Sequence, residues 1–125
     1  MFKKVLPFLF VPFFFAGCAN TLTNLTPSQL DRNKDNAYPV SVALTSQQHT
    51  LLWNSIRPQV LVGNRAYDMR PTPLMTNRWE GLVPVPPGVS SVRYRYKLDY
   101  DTARFGKPKA KSLLSREYSL RIQDK

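Results

Sequence analysis

Val92-Arg93-Tyr94-Arg95-Tyr96-Lys97-Leu98-Asp99-Tyr100 alternates without a fault. Val92, Tyr94, Tyr96, Leu98 and Tyr100 fall on one side of the repeat; Arg93, Arg95, Lys97 and Asp99 fall on the other. Side chains along a strand point to opposite faces in turn, so this stretch reads as a strand with one face in a core and one in water. Just upstream, Arg78-Trp79-Glu80-Gly81-Leu82-Val83-Pro84-Val85 is a second strand, turned by Pro86-Pro87-Gly88. Tyr38, Val40, Val42 and Leu44 alternate with Ser41, Ala43 and Thr45 in a third. Pro58 to Val62, a Gly63-Asn64 turn and Arg65 to Met69 read as a two-residue hairpin, in which glycine supplies the positive φ of a primed turn. Gln47 to Ile56 fits a short helix or a bent strand. Pro71-Thr72-Pro73 breaks regular structure, Asp101 to Ser112 reads as a basic loop, and Arg116 to Ile122 closes the chain as a strand. Six or seven short strands in roughly 90 residues, with almost no helix, specify an all-β chain, an antiparallel β-sandwich of about seven strands. Parallel pairing is not expected, because crossover helices are missing.

The N-terminus has a different character. Lys3 and Lys4 precede a run of Val, Leu, Phe and Pro, and Ala16-Gly17 follow before Cys18. A basic start, an apolar stretch and small residues before a cut site make up a secretory signal peptide. The run is shorter than the roughly 20 residues that span a bilayer, and Pro7 and Pro12 interrupt it. The ending Phe15-Ala16-Gly17-Cys18 resembles the lipobox of bacterial lipoproteins, with Phe15 where that family prefers an aliphatic residue. The resemblance implies cleavage before Cys18 and its lipidation; a conventional cut after Ala16 or Gly17 would leave a free thiol. Cys18 is the sole cysteine, and acylation would consume an otherwise unpaired thiol. Several acyl chains make a stable anchor where one would be marginal. Ala19, in place of Asp, points within the resembling lipoproteins to the outer membrane. The expected organisation is therefore a signal peptide over 1–17, the lipidated cysteine and a flexible polar tether over 18–37, and the folded domain over 38–125. Leu22, Leu25 and Leu30 could pack locally, or Thr26 to Gln29 could form one helical turn.

Removing the first 17 of 125 residues leaves 108, enough for one small core. Six of the seven Phe residues go with the signal, so that core must rely on Val, Leu, Tyr and Trp. The chain carries 18 Lys and Arg against 8 Asp and Glu; without Lys3 and Lys4 the net charge is +8. That balance favours anionic surfaces. Nucleic acid is not expected as a partner of an exported chain. The partners expected are the membrane, through the N-terminal lipid, and an envelope protein or anionic envelope polymer.

Arg78-Trp79-Glu80, Val83-Pro84-Val85-Pro86-Pro87-Gly88 and Val92 to Asp99 together resemble part of the immunoglobulin-like starch- and glycogen-binding modules. Those modules carry a Trp, a valine-rich strand, a Pro-Gly turn and a Tyr-Lys strand. The match covers about a quarter of the mature chain and reflects sandwich architecture as much as sugar binding. It implies an immunoglobulin-like sandwich and, at Trp79 or Trp53, a platform for a neutral glycan. The whole chain also resembles small immunoglobulin-like outer-membrane lipoproteins of Gram-negative bacteria.

The candidate sites compete with plainer uses of the same residues. His49, the sole histidine, sits among Ser46, Gln47, Gln48 and Thr50 with no nucleophile motif, so an exposed loop residue is the better reading. Neither His nor Cys clusters, so no cofactor or metal is expected. Asp99 and Asp101 share a strand face and could hold Ca²⁺, but Arg93, Arg95, Lys97 and Arg104 nearby favour salt bridging. Trp79 is assigned mainly to the core and Trp53 is left open. Arg93, Arg95 and Lys97, with Arg104, Lys107, Lys109 and Lys111 beyond, form a stripe of nearly one sign. The function expected is non-enzymatic: a lipid-anchored envelope module docking an anionic component through Arg93, Arg95, Lys97 and Arg104. Glycan binding through Trp53 or Trp79 is the alternative.

Overall fold

A computed structural model describes residues 20–124. The signal-peptide and lipidation readings, Cys18 with them, lie outside the described residues. Ten strands and no helix form the regular structure of the described residues: β1 (Asn20–Asn24), β2 (Gln29–Asp31), β3 (Ala37–Ser46), β4 (Leu51–Val62), β5 (Arg65–Asp68), β6 (Arg70–Pro71), β7 (Arg78–Pro84), β8 (Ser91–Thr102), β9 (Lys109–Leu114) and β10 (Tyr118–Gln123). One sheet has the order β1-β3-β7-β6; the other has β2-β10-β8-β4-β5, with β9 also paired to β8. The chain is an all-β sandwich of two facing sheets.

The alternation in β8 places Tyr94, Tyr96, Leu98 and Tyr100 in the core. Tyr38, Val40, Val42 and Leu44 meet them from β3, Trp79 and Val83 from β7, and Leu120 and Ile122 from β10. Tyr94 stands edge-on to Tyr96, ring centroids 5.6 Å apart, and both lie within 6.0 Å of the Tyr118 ring. Among the described residues no phenylalanine is buried, so the core is built on tyrosine, and each buried hydroxyl needs a polar partner.

Those partners come from the segment expected to be a flexible tether, which corrects the boundary at residue 38. Asn20 Nδ2 donates to the Tyr100 hydroxyl at 3.1 Å and Asn24 Nδ2 to that of Tyr94 at 3.0 Å. The Tyr96 hydroxyl donates to Asn24 Oδ1 at 2.6 Å, and the Asn33 amide donates to the Tyr38 hydroxyl at 3.0 Å. Around these bonds β1 pairs antiparallel with β3, and Leu22 and Leu30 pack against the core. Polar residues that read as a linker are the satisfied inner lining of a tyrosine core.

Three further expectations change. The strands number ten, not about seven, because β1, β2, β6 and β9 are short or polar. β2 pairs parallel with β10, so the sheets are not wholly antiparallel; the intervening chain, most of the sandwich, makes the crossover without a helix. The basic loop is shorter than read: β8 continues to Thr102 and β9 begins at Lys109. Gln47 to Ile56 resolves into a loop and the start of β4, whose register shifts between Leu52 and Arg57. There Ser55 Oγ donates to the Leu52 carbonyl and accepts from the Asp101 amide at 2.8 Å, replacing ladder bonds that the bulge interrupts. At the hairpin turn Gly63 has φ +62° and Asn64 stays negative, as a type II′ turn requires.

Candidate functional site

The pairing register brings one set of strand ends together. β1 begins opposite the end of β3, Asn20 against Ser46, and β7 begins near there, with Arg78 against Ala43. In the other sheet Leu51 opens β4 opposite Thr102, which in turn faces Lys109 of β9. Asn20 ties the two sheets at this end, donating to Gln48 Oε1 at 2.9 Å as well as to Tyr100. Asn77 anchors the β6–β7 loop by exchanging bonds with Leu44, and the Ala103 amide donates to the Thr50 carbonyl at 2.7 Å. Three loops therefore close one end of the sandwich: residues 47–50, 72–77 and 103–108.

None of these loops contains an Asp or Glu. Around them stand Arg78, Arg104, Lys107, Lys109 and Lys111, all exposed. None of the five lies within ion-pair distance of a carboxylate among the described residues. Asp101, one residue from the end of β8, is held by Arg57 at 3.7 Å. At the opposite end, the register of β2, β3 and β10 gathers Asp31, Asp35 and Asp124 together with Arg32, Lys34 and Arg121, and Arg32 pairs with Asp124. Arg104 thus belongs to a cationic end whose three closing loops carry no carboxylate.

Arg93, Arg95 and Lys97 occupy a different surface, and it is not of one sign. Glu117 approaches Arg93 at 3.9 Å and Arg95 at 3.8 Å, while Lys97 meets Asp99 at 3.6 Å. Register places Gln59 beside Lys97 and Asp68 beside Gln59 on the same outer face. Exposed pairs of this kind contribute about 0–1 kcal/mol to stability, but they cancel the face's field. The reading of a uniform basic sheet face is corrected on this ground: strand pairing imports acids that are remote in sequence. Asp99 and Asp101 do share that face. Asp99 accepts from Ser112 Oγ at 2.8 Å, and each aspartate has a cation, as salt bridging rather than Ca²⁺ ligation requires. No group of three His, Asp or Glu is poised for a metal among the described residues.

The two tryptophans separate. Trp79 is buried at 5 % exposure, so its core assignment holds and it is no sugar platform. Trp53, on the β4 bulge two residues from the cationic end, is 41 % exposed. Of the two tryptophans at which the starch-module resemblance implies a platform, Trp53 alone reaches the surface. A concavity of about 650 Å³ lies away from all these residues, between β3, β7 and the β5–β6 crossing, with Tyr67, Met69, Glu80 and Leu82 in its wall. His49 sits exposed in the 47–50 loop. Burial pushes the Tyr96 hydroxyl well above the ordinary tyrosine range, keeping it a neutral donor in its network.

Sequence reasoning placed Arg104, Lys107, Lys109 and Lys111 in the loop after β8 but read them as one stripe with the sheet face; Arg78 it missed as a cation. Period-two patterning assigns a residue to a face, whereas an end is assembled from loops that are distant in sequence. Comparison with protein-family models, with curated proteins and with solved structures found no match to this chain.

Proposed function

We propose that this chain is a lipid-anchored, non-enzymatic protein of the bacterial cell envelope, an immunoglobulin-like sandwich serving as an interaction or accessory module. Acylated Cys18 holds it at the membrane, with Ala19 directing it to the outer membrane. Its cationic end, Arg78, Arg104, Lys107, Lys109 and Lys111, meets an anionic envelope component. The observation that carries this reading is the segregation of charge: three loops free of carboxylates close the end on which unpaired cations gather. Attraction by such a patch is electrostatic and weakens as salt shortens the screening length.

Retention of the mature chain on dextran sulfate, used as a polyanion probe, tests this. Retention falls steeply with salt, and Arg104→Glu with Lys107→Glu abolishes most of it. Arg93→Glu with Arg95→Glu changes it little. Salt-insensitive retention, or equal loss from both pairs, refutes the assignment. Mass spectrometry of the mature N-terminus reads the anchor separately.

A further inference from the structure

The cationic end also carries the most exposed apolar side chains among the described residues. Phe105 stands at the tip of the β8–β9 hairpin with its whole side chain in solvent, 107 % exposed, and Leu74 at the tip of the 72–77 loop is 103 % exposed. Met75 beside Leu74 is 37 % exposed, and Trp53 lies on the adjoining bulge. A protein surface tolerates single exposed apolar residues. Here two loop tips at the same end each present one, and Leu74 is held at φ +65°, a conformation unusual for leucine. Gly106, at φ +102°, lets the hairpin turn sharply with Phe105 outermost. An aromatic tip flanked by Arg104, Lys107 and Lys109 pairs an apolar body with cations, the chemistry that suits the boundary between lipid headgroups and acyl chains.

The position of the chain's start decides what meets this end. Asn20 opens β1 within it, bonded to Gln48 and Tyr100. Cys18 is two residues earlier, and two residues span at most about 7 Å. A lipid on Cys18 therefore enters the bilayer next to the loops 72–77 and 103–108, with no tether to let the domain swing away.

We propose that this end of the sandwich is a membrane-docking surface for anionic phospholipid, with Phe105 and Leu74 entering the interface and Arg78, Arg104, Lys107 and Lys109 binding headgroup phosphates. The inference rests on the lipid-anchored reading above and names the partner of its cationic end. It makes the anchor and the loops two parts of one attachment, which fixes the orientation of the domain and turns the 63–64 hairpin end toward whatever lies beyond the membrane.

The test uses the full mature chain on vesicles of equimolar phosphatidylglycerol and phosphatidylcholine, and on phosphatidylcholine alone. Ala103→Cys and Asn64→Cys, at opposite ends, each carry an environment-sensitive dye. Flotation with the vesicles reads the anchor. The dye at 103 shifts to the blue on the anionic vesicles and less on phosphatidylcholine; the dye at 64 stays aqueous on both. Each cation removed by Arg104→Gln or Lys107→Gln lowers the docked-to-undocked ratio about fivefold, and Phe105→Ser lowers it about tenfold. In the chain without introduced cysteine, brominated lipid quenches Trp53 and spares buried Trp79. A chain that floats while position 103 remains as wet as position 64 overturns the proposal and leaves the anchored reading intact. A chain that does not float refutes the anchor, and a dry 103 on added vesicles would still support docking, whereas a wet one sinks it. Retention on dextran sulfate without any lipid response assigns the patch to a polymer instead.

Discussion

Replacing Tyr96 by Phe tests whether the N-terminal segment is part of the fold. The ring stays buried and its packing is unchanged, so the perturbation is confined to one hydroxyl. That hydroxyl donates to Asn24 Oδ1 at 2.6 Å and lies 3.0 Å from the Ser41 carbonyl and 3.1 Å from Thr26 Oγ1. Losing one net hydrogen bond costs about 1 kcal/mol, and stranding a buried acceptor adds up to about 3 kcal/mol more. Little stranding follows here. Asn24 Oδ1 keeps the Thr26 amide at 3.2 Å, and the Ser41 carbonyl keeps the Leu25 amide at 2.9 Å. The cost is therefore about 1.5 kcal/mol, a fall in Tm of about 6–10 °C for a domain of this size. Urea unfolding of the mature chain measures it, with the m-value unchanged because the same surface is exposed. A cycle with Asn24→Ala gives a coupling of about 1 kcal/mol if the two side chains meet as described. Amides of residues 20–26 lose hydrogen-exchange protection in the variant before those of β8 do. A cost under about 0.5 kcal/mol with zero coupling would refute the reasoning and return residues 20–24 to the status of a tether.

The same hydroxyl sets an alkaline limit: its pKa lies above the ordinary value in the folded chain, so the unfolded state loses that proton first. Stability is flat up to pH about 10 and then falls by about 1.4 kcal/mol per pH unit from this group, a slope absent in Tyr96→Phe. Trp79→Ala costs about 3–5 kcal/mol by opening the core, whereas Trp53→Ala costs under about 0.5 kcal/mol; equal costs in thermal unfolding would contradict their placement. Glu117→Gln frees Arg93 and Arg95, shifts stability by under about 1 kcal/mol and raises salt-dependent retention on dextran sulfate; unchanged retention would mean that Glu117 does not mask them. Leu74→Gly relieves the left-handed backbone, about 1–2 kcal/mol, against about 0.5–1 kcal/mol of added chain entropy. The variant is thus slightly more stable in urea yet docks less well on anionic vesicles, and a clear destabilisation would show that Leu74 packs in the fold.

Much of the sandwich can be read from period two alone. β8, β3 and β7 alternate apolar and polar residues, and the residues so marked are those that the core holds. The hairpin at Gly63-Asn64 follows from local backbone chemistry. What pattern could not reach depends on contacts between distant segments. Asn20, Asn24, Thr26 and Asn33 have the composition of a linker, and only the hydroxyls of Tyr100, Tyr94, Tyr96 and Tyr38 give them a reason to be ordered. A hint is present in the sequence: a core with four buried tyrosines and no phenylalanine must find hydroxyl partners, and this segment holds unassigned donors and acceptors. The sign of the sheet face was hidden for the related reason that Glu117 and Asp68 reach it only through strand pairing.

Segregation of charge argues for orientation, which net charge alone does not. A domain carrying its excess cations evenly would be drawn to an anionic surface with any side facing it. Screening limits the charges that count to those within about 8 Å of that surface at physiological ionic strength. β8 has 12 residues and spans about 40 Å, so its two ends are several screening lengths apart. Asp31, Asp35 and Asp124 at the far end neither weaken the attraction at Arg104 nor feel the same surface. Turning the domain over would withdraw Arg104, Lys107 and Lys109 from the anionic surface and bring up an end where Arg32 is held by Asp124 and Asp35 follows Lys34, while the short reach from Cys18 to Asn20 would have to stretch around the sandwich. Chain geometry and electrostatics thus favour the same orientation by independent means.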